Sequence, residues 1–297
     1  MKVGLALGGG GVRGIAHIGV LEVLEQERIP IDLIVGTSFG SIIGAMYASR
    51  PSILDLKQRL IPFLEGPAFQ KTRMDFLRRS FAEGKKARLL QQLKSYARRG
   101  ILMGISFAKG YFIAEEEFRR LLCELIEDLE IGQTRIPFRC VAADLVKGMP
   151  VILTKGSLRQ AIQASCSIPG IFQPIRQHHA ILVDGGWVSP VPVAQTREAG
   201  VDVVVAVDTS KEIKAPEEFT SGLQLVVRSH DVTKRVLHQL LIRDADVVIR
   251  PKIGQIHWTQ FDKAPECIRW GREAALAALP RLRRTLEKHK RVRASVV

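Results

Sequence analysis

Hydrophobic positions along the chain fall into short apolar runs separated by stretches with helical spacing. KVGLAL (2–7), IDLIV (31–35), PFRCVAAD (137–144), MPVILT (149–154), AILVD (180–184) and VDVVVAVD (201–208) read as strands, with ADVVIRPKI (245–253) as a further one. Between the first two, IAHIGVLEVLEQE (15–27) places Ile15, Ile18, Val20, Leu21 and Leu24 on one helical face. SIIGAMYAS (41–49) predicts a second helix, stopped by Pro51. Strand–helix–strand–helix is how a parallel sheet with right-handed crossovers begins. Residues 52–120 have another texture: basic residues, isolated apolar positions and breaks at Pro62, Gly66-Pro67, Gly84, Gly100, Gly104 and Gly110. That texture predicts an inserted helical cap. REAALAALPRLRRTLEKHK (272–290) predicts a closing helix with a break near Pro280. No internal repeat or low-complexity linker divides the chain, so one α/β domain over 1–297 is expected.

Composition adds little to this picture, and charge adds more. With 46% hydrophobic and 25% charged residues, the 297-residue chain has an ordinary globular balance and enough length for a substantial core. Its four cysteines form no Cys-x-x-Cys pair, which fits a reducing compartment with neither a disulfide framework nor a zinc site. The opening MKVGLALGGGGV has too short an apolar core for a signal peptide and runs into glycines and Arg13. No stretch approaches the ~18–20 apolar residues of a membrane span. A cytoplasmic protein is expected, peripheral at most to the inner membrane surface. The net charge is +14, and two blocks hold the excess. Residues 51–110 carry 13 Lys/Arg against 4 Asp/Glu, and residues 281–297 carry 7 against 1. Such blocks fit an anionic partner, a phospholipid surface or nucleic acid, and equally a solvated surface.

Two glycine motifs hold the candidate chemistry. Gly9-x-Gly11-x-x-Gly14 lies between the first strand and the first helix, as in a dinucleotide-binding fingerprint. That reading needs an acid at the end of the second strand. Asp32 stands at its start instead, and the end is occupied by Gly36-Thr37-Ser38-Phe39-Gly40. Consecutive glycines also suit a different anion, because their amides can converge on a tetrahedral oxyanion. Gly-x-Ser-x-Gly arises by chance in roughly one chain in ten of this length, so its context decides. Here it stands between a strand and a helix, where Gly36 and Gly40 would let Ser38 occupy a strained nucleophile elbow. Both loops leave carboxyl ends of neighbouring strands and would face each other. Ser38 follows only two strands, too early for an α/β-hydrolase, and none of the seven histidines has a catalytic setting. Asp184, followed by Gly185-Gly186, ends a strand and is the better-placed partner.

GGGVRG (9–14), GTSFG (36–40), ASCSIPGIFQPI (164–175) and DGG (184–186) stand in the order found in the patatin-like phospholipase family, which the chain resembles over about residues 4–208. It is also similar to the short bacterial patatin-like esterases related to the catalytic domain of neuropathy target esterase. The resemblance implies a three-layer α/β fold with a mostly parallel central sheet and helices on both faces. It implies a catalytic region at 4–208 with the cap at about 52–120, and a C-terminal part, 209–297, packing on the same domain. It makes Ser38 the nucleophile, Asp184 the general base, and the amides around Gly9, Gly10 and Gly11 the oxyanion hole, supported by Arg13. Gly14, Gly36, Gly40, Gly185 and Gly186 complete the motifs. The implied reaction is hydrolysis of lipid acyl esters through an acyl-Ser38 intermediate, with no cofactor and no metal. The alternative is a patatin-fold regulator or adaptor that recruits an acidic partner with little catalysis. The expected substrate is a lipid, with peripheral contact to an anionic membrane through 51–110 and 281–297 and no nucleic-acid partner. Within 51–110, Ile53, Leu56, Leu60, Ile61, Phe63, Leu64, Phe69, Phe76, Leu77, Leu89, Leu90 and Leu93 fit bilayer docking and core packing equally well. Cys166 reads as a small buried residue and not a nucleophile.

Overall fold

A computed structural model describes residues 1–70, 101, 104–106, 108–210, 219, 222–254 and 256–294. Eight strands form one mixed sheet: β1 (Val3–Leu7), β2 (Leu33–Thr37), β3 (Phe138–Asp144), β4 (Met149–Leu153), β5 (Ile175–Gln177), β6 (Ala180–Asp184), β7 (Val203–Val207) and β8 (Val247–Ile249). The order is β5-β6-β3-β2-β1-β7-β8, with β4 added against β3. The pairs from β3 through β8 along that path are parallel, while β4, β5 and β6 pair antiparallel.

The central strands β1, β2 and β7 are buried along their whole length, which is why each reads as an unbroken apolar run. On one face of the sheet, Val3, Leu5, Leu7, Val203 and Val205 pack with helices α1 (Ala16–Gln26) and α2 (Phe39–Ser49). The same core takes in α3 (Ile53–Glu65), α4 (Glu115–Leu125) and α5 (Leu158–Ser165). On the other face, Ala6, Val35, Val204 and Ala206 pack with Val193, from α6 (Val193–Glu198), and with Ile242. The last two helices are α7 (Gly222–Leu241) and α8 (Ala264–Ala294). α8 lies against α1, with Arg272 3.4 Å from Glu22 and Arg283 bonded to Glu27.

Two local expectations are corrected. Pro62 sits inside α3 and Pro280 inside α8, and neither ends its helix. Each proline removes the bond to the carbonyl four residues earlier, at Gln58 and Leu276, and both of those residues are exposed, where the loss costs least. Of the cap expected over 52–120, the described residues include α3 and the start of α4, with 110–114 non-helical, while 71–100, including Phe76, Leu77, Leu89, Leu90 and Leu93, lies outside the described residues. Ile53, Leu56, Leu60, Leu64 and Phe69 are buried, so packing and not docking explains them. The basic residues beside them are likewise engaged: Lys57 with Glu22 at 2.7 Å and Arg59 with Asp55 at 3.3 Å.

Candidate active site

β2 ends at Thr37, α2 begins at Phe39, and the single residue between them turns the chain. Ser38 has φ 53° and ψ −128°, a left-handed backbone that costs a side-chain-bearing residue ~1–3 kcal/mol. The glycines around it make the turn feasible. A Cβ on Gly36 would lie 2.5 Å from Ser41 Cα, and one on Gly40 would strike the carbonyl oxygens of Leu7 and Gly8. Ser41 Oγ closes the turn by donating to Ser38 O at 2.6 Å. The hydroxyl of Ser38 is thereby held at the positive end of α2.

Strand register delivers the aspartate. β4 pairs with Cys140–Asp144 along one edge of β3, so β2 and β6 must share its other edge. β2 runs up that edge to Thr37, opposite Val141, and β6 comes down it to Asp184, opposite Ala142. The two strands meet nearly end to end, and residues 146 positions apart become neighbours. Ser38 Oγ donates to Asp184 Oδ2 at 2.5 Å, and the Gly186 N–H donates to Oδ1 at 2.7 Å. Burial pushes the Asp184 carboxyl above its ordinary value, opposed by the bonds from Ser38 and Gly186 and by the charge of Lys234.

The 164–175 segment fastens both partners through its serines. Ser165 Oγ accepts from the Ser38 N–H at 3.0 Å and donates to Val141 O at 2.7 Å. Ser167 O accepts from the Asp184 N–H at 2.9 Å. Neither role has a local signature in the sequence.

The glycine loop faces this pair. A Cβ on Gly9 would lie 3.1 Å from Ser38 Cβ, so a side chain there would crowd the residue that bears the hydroxyl. Its N–H, however, donates to Pro190 O at 3.0 Å. Among the described residues, the N–H groups of Gly10 and Gly11 have no backbone acceptor. Their carbonyl sides are fixed. Thr209 Oγ1 donates to Gly9 O at 2.8 Å, Arg13 Nε to Gly10 O at 3.1 Å and His17 Nε2 to Gly8 O at 2.7 Å. Because a trans peptide points its N–H opposite its C=O, Thr209 turns the Gly10 amide away from itself, and Arg13 does the same for Gly11. Arg13 thus acts on the loop from behind. Burial lowers its pKa to about 10, which leaves it charged at neutral pH. Asp32, immediately before β2, accepts from the Val3 N–H at 2.7 Å.

A family model described as patatin-like phospholipase matches residues 5–197, about two-thirds of the chain. The chain belongs to the patatin-like phospholipase family. Lysophospholipase NTE1 of Pyricularia oryzae is 26% identical over 95% of this chain and 19% of its own length. Lysophospholipase nte1 of Aspergillus fumigatus is 31% identical over 74% of this chain and 13% of its own. The chain therefore spans less than a fifth of the length of these relatives. VipD from Legionella pneumophila shares the fold at a TM-score of 0.50 and 14% identity, covering 94% of this chain and 66% of that one.

The patatin-like match stops at 197, yet later residues complete the site. Thr209 holds the glycine loop, and Trp258 O accepts from the Val12 N–H at 2.9 Å. Lys234 of α7 lies 5.1 Å above the ring of Trp187, three residues after Asp184. Beside Ser38 opens an apolar pocket of about 660 Å³, open mouth included. Phe39 and Ile42 of α2, Leu60 and Phe63 of α3, and Leu121 and Leu125 of α4 line it. Cys166 also lines it, with its thiol pushed well up by burial and its Sγ 3.6 Å from Ser41 Oγ, a poor setting for a thiolate. The histidines serve elsewhere: His17 under the glycine loop, His230 against Trp187, and His238 on Asp208 at 3.0 Å.

Proposed function

We propose that this chain hydrolyses acyl esters of lipids, with Ser38 as nucleophile and Asp184 as its base. The observation that carries the reading is the 2.5 Å bond that Ser38 Oγ, in the wall of an apolar pocket, donates to the buried carboxylate of Asp184. The proton of the attacking hydroxyl passes to Asp184 as Oγ bonds to the substrate carbonyl carbon. An ordinary aspartate is a weak base, and burial that raises its pKa makes it a stronger one. The Gly10 and Gly11 amides receive the developing oxyanion, and the acyl chain lies in the pocket. Collapse of the intermediate expels the alcohol or lysolipid, protonated by Asp184, and leaves acyl-Ser38. Water deprotonated by Asp184 then releases the fatty acid. The relatives named lysophospholipase support a phospholipid or lysophospholipid substrate. The basic excess of 51–110 and 281–297 favours an anionic membrane face, approached from the cytoplasm.

A fluorophosphonate probe should label wild-type protein at Ser38 and leave Ser38→Ala unlabelled. Asp184→Asn should lower p-nitrophenyl butyrate hydrolysis by about 10²–10⁴-fold with the circular dichroism spectrum unchanged. Full hydrolysis by Ser38→Ala would refute the reading, and a folded protein without probe labelling would favour the adaptor alternative.

A further inference from the structure

Helix α7 (Gly222–Leu241) turns its apolar side outward. Leu225, Val226, Val232, Val236 and Leu240 share one face at helical spacing, and each is 47–67% exposed. From His230 onward the opposite face is the one that touches the protein, while Val227, a turn earlier on that face, is 52% exposed. There Lys234 and His230 lie over Trp187, and His238 bonds Asp208, which Arg250 also holds at 2.8 Å. An ordinary surface helix would bury the valines and expose the lysine.

We propose that α7 is the helix by which this enzyme docks on an anionic phospholipid bilayer. The reading of the chain as a lipid hydrolase supplies the reason for a membrane partner. Two features of α7 point the same way. Arg228 and Arg235, seven residues apart, run along one edge of the apolar stripe, the arrangement that places basic groups at headgroup level beside an inserted apolar face. An antiparallel symmetric contact between two copies of the stripe would instead bring these arginine edges together on two chains that each carry +14. The position of the helix is the second feature. Its inner face rests on Trp187, three residues from Asp184, so a bilayer against the outer face would lie one helix diameter, ~10 Å, from that ring.

The test uses the full chain bearing Ser38→Ala, so that binding is read without turnover, and vesicles of phosphatidylcholine with phosphatidylglycerol. Cosedimentation should detect binding, and Val232→Glu and Val236→Glu should each weaken it about tenfold. Arg228→Gln with Arg235→Gln should weaken binding to these vesicles and leave any binding to pure phosphatidylcholine unchanged. In the Ser38-bearing protein, the same valine substitutions should spare hydrolysis of a soluble p-nitrophenyl ester and depress hydrolysis of vesicle lipid. The proposal is overturned if the parent does not bind, or if a variant carrying both Val232→Glu and Val236→Glu binds as the parent does. It is also overturned if the substitutions turn a dimer into a monomer while vesicle binding persists. Loss of probe labelling at Ser38 with α7-dependent binding intact would refute the hydrolase reading and leave the docking helix standing.

Discussion

Acid should unfold this chain in part through His17. Its imidazole is completely buried, donates from Nε2 to Gly8 O at 2.7 Å, and has no partner for Nδ1. Burial lowers its pKa to about 4, outweighing the hydrogen bond to Gly8, which acts the other way. In the unfolded chain the ring titrates near 6.5. As pH falls below about 6.5, the unfolded state takes up a proton that the native state refuses, so native stability declines. The decline ends near pH 4, where both states are protonated. The gap of roughly two and a half pH units corresponds to about 3 kcal/mol, a large part of the ~5–15 kcal/mol that stabilises a typical domain. Carboxylates titrate in the same window, so the measurement must be a difference. Urea unfolding of wild type and His17→Gln, followed from about pH 7 to about pH 4, cancels their contribution. Wild type should lose about 3 kcal/mol more than the variant over that range, with no divergence above pH 7. A stability difference independent of pH would mean that the ring is not held neutral beneath the glycine loop, and would refute the reasoning.

Lys234 lowers the Asp184 pKa through its charge, so Lys234→Gln should move the acidic limb of the kcat/KM profile to higher pH, and Lys234→Arg should leave it in place. An unmoved limb in Lys234→Gln would separate the lysine from the dyad. Leu121, buried on α4, lines the pocket, and Leu121→Trp should displace several methylenes of a long acyl chain at about 0.8 kcal/mol each. Discrimination between long-chain and butyryl esters should then fall by about 10²-fold, and equal losses on both would place the chain elsewhere.

Legibility in the sequence divided along physical lines. Strands buried on both faces announce themselves as apolar runs, and a backbone that must pass close to another group demands glycine within a few residues. Gly9, Gly36 and Gly40 were therefore readable, and Ser38 with them. What could not be read was every contact made across the fold without a local pattern. Ser165 and Ser167 bond through one hydroxyl and one carbonyl, and Thr209 is a single methyl-bearing alcohol after a strand. Lys234 sits on a helix whose period is ordinary and whose apolar face is reversed. Asp184 shows the same boundary most sharply. Asp-Gly-Gly reads as a turn at a strand's end, and a parallel strand would have carried that end to the active edge. β6 is antiparallel, and it reaches the edge only by starting beyond it and descending along β3 until it meets β2. The 2.5 Å between Ser38 and Asp184 therefore depends on the register of two strands against a third. A one-residue slip of β6 would turn the carboxylate to the opposite face of the sheet with the motif unchanged. The motif specifies the chemistry, and the pairing of β3 specifies whether it can occur.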